Sequence, residues 1–463
     1  MTSEIHARLQ SLGRTYDRLI ELQGDRQLYL VGGALRDILL CRPPQDFDFA
    51  VAGSAIEFAH QFASRIRGKL VILSEEDDEA RVVYRRKITF DFNGLGKESI
   101  ESDLLRRDFT INALALKLPA GEYIIDPYGG QEDIKRKLIR PITDNSLARD
   151  PLRLLRAFRL ALELGFTIDP AVEHQGATVS LARTAPERIG MEFMRILNTP
   201  GATDCIKRLI ALGRLVEIIP EISALLEEPD LREHTLRTFI KIEEVLSTPG
   251  FFSRFQPEWN SYLTQDPPRA PLLKLAGLLH DIAKPHTRFV NESGETHFYG
   301  HDSLGARLAV KIGYERLRLS RLQVRILRTL VKEHMRLHLL ATAPELSDRA
   351  IRRFFRDLGS EALGLMILCY ADGWATAGRT IHLEDTITRM LNQQRMENAR
   401  RRIKRLVTGD DLIALGMKPG PVFKVILQEL EDLQVEGKIT TKEEGIEYLK
   451  SYLKTRRNDH LLA

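Results

Sequence analysis

The spacing of apolar residues changes character once along this chain, and that change limits the fold more than any other feature. Up to about Arg140, short runs rich in β-branched and aromatic residues recur among helical stretches: LYLVGG, FDFAV, KLVILS, ARVVYRR, ITFDF and EYIIDPYGG. This is the texture of a small mixed α/β domain. From Asp150 onward the spacing is almost entirely helical, beginning with DPLRLLRAFRLALELGF, where apolar positions recur at three and four and Gly165 marks a stop. The pattern predicts an α+β chain, with an α/β head joined to a long all-α body. At 463 residues the chain exceeds one ordinary core, so two to four modules are expected. Two proline-containing stretches, QPEWNSYLTQDPPRAP and TGDDLIALGMKPGP, read as connections between helical groups.

Composition then excludes several classes. With 43% hydrophobic and 29% charged residues, the chain is neither disordered nor fibrous. No apolar run approaches the roughly 20 residues of a membrane span, and the start MTSEIHARLQ lacks a signal-peptide pattern. A cytoplasmic protein without a membrane partner is the expectation. Cys41, Cys205 and Cys369 are scattered and odd in number, which suits reduced thiols and offers no zinc spacing. A net charge of +4 is only mildly basic. Two arginine-rich segments, YERLRLSRLQVRILRTL and RMENARRRIKRL, leave two readings open, solvated helix faces or a phosphate-backbone footprint.

The chemistry concentrates in LYLVGGALRDILLCRPPQDFDFAV, Leu28 to Val51. In a strand, residues two apart share a face, so Asp46 and Asp48 point together while Phe47 and Phe49 pack behind them. Adjacent carboxylates repel unless a cation lies between them, and hard oxygen ligands suit Mg²⁺. Upstream, VGG followed by ALRD reads as strand, glycine turn and helix, with Gly32 and Gly33 letting backbone amides approach a phosphate. A phosphate cradle beside a metal-binding pair describes a nucleotidyl-transfer site.

These motifs, with RRDFTINALAL (Arg106 to Leu116), DPYGGQEDI, RDPLRLLRAFRLALELGF and ERIGMEFMRIL following in order, resemble the head and neck motifs of the class II tRNA nucleotidyltransferase and bacterial poly(A) polymerase family. The resemblance is close over roughly the first 220 residues, and GDDLIALGMKPGPVFKVILQELEDLQVEGKITTKEEGIEYL is similar to the family's C-terminal segment. It implies a polymerase-beta-like nucleotidyltransferase head over 1–140, an all-α neck with a base-recognition helix over 141–225, an HD-type body over 226–400 and a helical RNA-binding tail over 401–463. It also implies that Asp46 and Asp48 are catalytic, holding Mg²⁺ and activating an RNA 3′-hydroxyl, with pyrophosphate leaving. Arg36, Arg107, Asp108 and Asn112 match nucleotide-binding positions. The local alternatives are an Arg36–Asp37 ion pair and Asp108 capping a helix through FTINALAL. Asp91 in ITFDFNG is either a third carboxylate or a strand-end residue.

In RDPLRLLR the resemblance assigns Asp150 and Arg153 to the edge of the incoming base. Three apart, they are expected on one helix face. A carboxylate accepts from the amino group common to C and A, while a guanidinium donates to ring acceptors. Arg149 stands where the family usually has Glu. Only NGLGKESIESDLL separates the last head strand from RRDFT, whereas enzymes that build the whole CCA end usually carry a longer flexible segment there. The short version is similar to CC-adding members, so the expectation is CTP-dependent CC addition to the tRNA 3′ end. ATP use, full CCA addition, A addition or poly(A) synthesis stand as alternatives, and CC addition implies a separate A-adding enzyme acting on the product.

A second constellation, His234, His280, Asp281, His301, His334 and Asp372, resembles the H…HD…D set of an HD phosphohydrolase domain. Imidazole and carboxylate together suit a second divalent metal able to acidify water for phosphate-ester hydrolysis, and Lys284 is placed to meet a phosphate. A phosphohydrolase whose head positions RNA is therefore the alternative of another class.

Overall fold

The structure, a computed structural model, describes all of the chain but residues 1, 45, 86–87, 97, 120, 403–404, 418, 436 and 460–463; side chains at 2–4, 400–402, 435 and 452–459 also stand outside the description. Part of the arginine-rich segment 395–406 thus lies outside the described residues. The chain divides into two compact units, Met1–Arg232 with Ala270–Arg328, and Glu233–Arg269 with Thr329–Ala463. It is an α+β protein with its large sheet near the N-terminus.

The first unit carries that sheet. Strands β1 (Leu28–Val31), β2 (Asp46–Val51), β3 (Lys69–Ser74), β4 (Glu79–Tyr84), β5 (Ile88–Gly94) and β6 (Ala115–Leu118) align in the order β3-β4-β5-β2-β1-β6. Only β2 and β5 run parallel, and parallel neighbours need a crossover. The helix Ala55–Ile66 and the β3–β4 hairpin supply it. Ser54 caps that helix by accepting from the Glu57 N–H, and Arg67 stops it at φ 57°. The phenylalanines fix the face: Phe47 stacks on Phe90 at 5.6 Å and Phe49 on Phe92 at 5.3 Å, and Phe62 meets Phe90 and Phe92 edge-on. With the aromatic side committed to the core, Asp46 and Asp48 face the other way, and the register sets Asp48 beside Asp91.

One local expectation fails here. FTINALAL is not a helix; a short 3-10 turn at Thr110–Asn112 leads into β6, which pairs with β1. Alternate burial of Leu116 and Leu118 about exposed Lys117 suits a strand on an existing sheet edge, so tertiary pairing overrides local helix propensity.

Beyond the sheet, β7 (Leu138–Ile139) and β8 (Thr167–Ile168) form a minimal parallel pair. The helices Arg153–Leu164 and Pro186–Asn198 pack through buried Leu154, Phe158, Phe193 and Ile196. Arg159, almost without exposure, joins them by donating to Glu192 at 2.6 Å. Gly190 permits a close approach, since a Cβ there would lie 2.2 Å from the Leu317 carbonyl oxygen. A hairpin of β9 (Phe289–Val290) and β10 (Thr296–His297) precedes the helix His301–Lys311; the sequence pattern alone had not indicated it.

The second unit is helical around Ala362–Ala377, which is buried along nearly its whole length. The stretch expected as a plain connection, QPEWNSYLTQDPPRAP, contains the helix Gln256–Leu263, where Pro257 occupies the first turn and needs no N–H partner. TGDDLIALGMKPGP likewise contains the helix Gly409–Ala414, held by a Thr408–Asp411 capping box. Val407, Leu412, Ile426, Leu430, Ile439 and Leu449 give the C-terminal segment a small core of its own.

Candidate active site in the head

The helix Gly32–Leu39 starts directly where β1 ends, and Gly32 has φ +72°. A Cβ at Gly32 would fall 2.6 Å from Arg107 Nη1 and 2.7 Å from Asp48 Oδ2. Only glycine lets these two charged groups close over the backbone. The Gly33 N–H donates to the Asp48 carboxylate. Burial pushes the Asp48 carboxyl up; Arg107 pulls the other way, while Asp91 and Asp46 add repulsion. Asp46 accepts from the Thr89 hydroxyl, and Asp91 is held in a two-point pair by Arg81 at 2.7 and 2.6 Å. Clustered hard oxygen donors in which burial and repulsion strain the anionic form fit a divalent cation of the magnesium kind.

Around this core runs a ladder of charged groups. Arg107 Nε donates to Asp103 at 3.0 Å. Arg36 Nη1 donates to Asn112 Oδ1 at 2.6 Å, while its Nε and Nη2 hold Asp37 at 2.9 and 2.7 Å, so the Arg36–Asp37 pair forms and the same guanidinium also fixes Asn112. Asn112 Nδ2 then donates to Asp108 Oδ1 at 2.9 Å. Burial alone would raise the Asp108 carboxyl, but Arg156, the Asn112 amide, the Phe109 N–H and Arg153 outweigh it and hold the carboxyl below its usual value. Its Oδ2 faces Arg156 Nε at 3.4 Å without hydrogen-bond geometry.

Asp150 and Arg153 are not on one helix face. Proline after Asp150 disfavours the helical region for it, and Asp150 is extended at φ −143°, ψ 98°, so the helix begins only at Arg153. The tertiary fold still gathers them. Asp150 accepts from the Leu152 N–H at 3.2 Å and from Arg188 Nη2 at 2.8 Å. Arg153 donates to Ser146 Oγ at 2.7 Å and to the Arg106 carbonyl. One cavity of about 1060 Å³ is lined by Gly32, Gly33, Arg36, Asp46, Asp48, Arg107, Asp108, Asn112, Asp150 and Arg153 together. Arg81, Asp103 and Arg156 line it too and were missed; Arg156, one turn beyond Arg153 in RLLR, carried a readable signal, whereas nothing local marks Arg81.

The histidines divide between the units. In the first, His280 and Asp281 are buried, Asp281 lies 3.3 Å from His280 Nε2 and 3.6 Å from His301 Nε2, and Lys284 Nζ pairs with it at 2.6 Å. In the second, the Asp372 carboxylate lies 3.0 Å from His234 Nε2 and 2.9 Å from His338 Nε2. His334, buried in that unit, has Nδ1 2.8 Å from the Val331 carbonyl. His338, overlooked in sequence, stands four residues after His334 in HMRLH.

Comparison with known proteins agrees with this arrangement. The "Poly A polymerase head domain" family matches residues 28–140, the "HD domain" family 231–385, and "Probable RNA and SrmB- binding site of polymerase A" 165–226. An A-adding tRNA nucleotidyltransferase of Deinococcus radiodurans is 33% identical over 443 residues, 91% of this chain and 95% of that protein. The chain belongs to the CCA-adding tRNA nucleotidyltransferase family. A CC-adding tRNA nucleotidyltransferase of Thermus thermophilus is 32% identical over 92% of this chain and 93% of its own length. Among solved structures, a Thermotoga maritima CCA-adding enzyme complexed with tRNA shares the fold at a TM-score of 0.57 and 21% identity, covering 96% of this chain and 94% of its own. This tRNA nucleotidyltransferase is thus an RNA-modifying enzyme, and no described helix is long and apolar enough to cross a membrane.

Proposed function

We propose that this tRNA nucleotidyltransferase adds CC to the tRNA 3′ end from CTP, and leaves the terminal A to a separate enzyme. The observation that carries this reading is the brevity and packing of the segment after β5. Ser99 caps the helix Ile100–Arg106 directly, and Leu95, Ile100 and Leu104 are buried against Tyr29, Val31, Ala113 and Ala115. A segment anchored in this way leaves little chain to rearrange for a second nucleotide. The A-adding relative of Deinococcus favours a second reading, addition of A alone from ATP.

The roles proposed follow from the cavity. Asp46 and Asp48 would hold Mg²⁺, which would supply charge neutralisation and Lewis acidity; the RNA 3′-hydroxyl attacks the α-phosphorus of CTP and pyrophosphate leaves. The Gly32 and Gly33 amides are taken by the Leu114 carbonyl and by Asp48, so the phosphates are assigned to Arg107 beside Gly32 and to the N-terminal end of Gly32–Leu39 beyond the two glycines. Arg36 and Asn112 hold Asp108, whose Oδ2 has an ion-pair partner but lacks a donor in line, and it accepts from a ribose hydroxyl. Asp150 accepts from the cytosine amino group and Arg153 donates to its ring acceptors. The division proposed with these roles is a head over 1–140, a neck over 141–225, an HD-type region over 226–400 and a tail over 401–463 that grips tRNA in the cytoplasm. His280, Asp281 and His301 in one unit, and His234, His334 and Asp372 in the other, are proposed as divalent-metal ligands, His338 joining Asp372. A phosphohydrolase function for them is the reading of another class.

The test is to incubate the protein and Mg²⁺ with tRNA transcripts ending before CCA, after C and after CC, with CTP or ATP supplied separately. Two C residues and no A are expected. A complete CCA end, or A on the CC transcript alone, overturns CC specificity.

A further inference from the structure

Outside the head cavity, the β9–β10 hairpin presents aromatic surface to water beside cationic groups. Phe289 is 55% exposed and Tyr299 72% exposed, although large aromatics are ordinarily buried. Tyr299 does not hang loose. Its ring stacks on His297 at 5.1 Å with an interplanar angle of 13°, and Asn291 Nδ2 meets His297 Nε2 at 3.1 Å. The turn beneath is fixed as well, since Asn291 Oδ1 accepts from the Ser293 and Glu295 N–H groups at 3.0 and 2.8 Å. Phe298, next after the strand, has the Lys284 ammonium 5.5 Å and the Arg288 guanidinium 5.8 Å from its ring centre; Lys284 also pairs with Asp281 and Arg288 with Glu228, so a phosphate would share these cations with the two carboxylates. The chain then passes from Tyr299 through Gly300, at φ 77°, to His301, which faces Asp281 at 3.6 Å.

We propose that this hairpin is a nucleobase platform: Tyr299, braced by His297, stacks on the base of a nucleoside monophosphate or RNA 3′ end, whose phosphate lies toward Lys284 and Arg288. A flat ring with a face open to water, braced from behind and one residue from a ring that two cations approach, matches the stacking element by which proteins take up single-stranded nucleic acid without reading sequence. Exposed Val290 adds an aliphatic group beside Phe289, but Tyr299 itself is backed by the His297 ring and follows Phe298, which Lys284 and Arg288 approach, a setting that favours a base with a phosphate over an apolar protein partner. The inference is independent of which nucleotide the head transfers and of whether the histidines beyond it hydrolyse anything.

The experiment titrates the full chain into an RNA trinucleotide ending in 2-aminopurine riboside 3′-phosphate and follows fluorescence, which stacking quenches. Saturable quenching is expected, weakened roughly 5- to 150-fold by Tyr299→Ala, the range set by loss of one base–aromatic stack. Tyr299→Phe keeps the stacking face and should bind like the original. An abasic 3′-phosphate trinucleotide should compete poorly. Incorporation of CMP into tRNA, read on the same preparations, should be unchanged in Tyr299→Ala, which separates this site from the head. Absence of quenching, equal binding by Tyr299→Ala, or equal competition by the abasic probe would each overturn the platform.

Discussion

Replacing Gly32 by Ala should separate catalysis from folding in the head. The backbone at φ +72° disfavours any L side chain by about 1–2 kcal/mol. The larger effect is geometric. The new methyl would occupy space 2.7 Å from Asp48 Oδ2 and 2.6 Å from Arg107 Nη1, well inside contact distance, so the carboxylate and the guanidinium must both withdraw. A shift approaching 1 Å at groups that set the attack geometry costs on the order of 100-fold in rate. Gly33→Ala is the matched control. Its Cβ would meet only the Arg36 guanidinium at 3.5 Å, an ordinary contact, and its N–H would still donate to Asp48. Single-turnover CMP incorporation should therefore fall about 100-fold in Gly32→Ala and less than about 3-fold in Gly33→Ala, while urea titration should show Gly32→Ala still folded and less stable by about 1–2 kcal/mol. Equal rates in the two variants would refute the reasoning, because both changes remove a glycine but only one intrudes on Asp48.

Further outcomes can be measured in parallel. Added Mg²⁺ should raise the thermal midpoint of the unaltered protein, since a ligand that binds only the folded state stabilises it, and should fail to do so for Asp48→Asn. Asp150→Ala should lower discrimination between CTP and UTP by about 10- to 100-fold, the worth of a charge-assisted hydrogen bond, in competition assays on one tRNA transcript. Arg159→Met leaves Glu192 buried without its closest partner and should cost about 3–5 kcal/mol, much of which Arg159→Met with Glu192→Leu should restore in denaturant titrations. Asp411, held at about 2 by Lys442 and by the Thr408 N–H and hydroxyl, stabilises the C-terminal helices above its unfolded value near 4, and that contribution should vanish as pH falls from about 4 to 2. Lys442→Met should move the Asp411 titration upward by NMR.

The sequence was most legible where a short period and a rigid face coincide. Alternation in DFDF placed both carboxylates on one side of β2 because the phenylalanines had no other place to go. The glycine turn was legible for a similar reason, as few local geometries join VGG to ALRD. Legibility failed where distant chain decides. Asp150 and Arg153 share the cavity through the fold rather than through helix spacing, since Pro151 delays the helix start. Arg81 reaches Asp91 only because β4 lies beside β5, and Arg188 reaches Asp150 from another helix; neither pairing has a signature in its own neighbourhood. His338 was lost differently, a second histidine one turn on that read as an ordinary helix residue until Asp372 was found beside it.

The first unit is assembled from Met1–Arg232 and Ala270–Arg328, with a piece of the second unit between them in the chain. During synthesis, Leu317, whose carbonyl Gly190 lets come so near, emerges long after the helix it meets. At ribosomal speeds the stretch from Glu233 to Arg328 takes roughly 5–20 s to make. Through that interval the face of Pro186–Asn198 around Gly190 lacks the Leu317 backbone that covers it in the finished protein.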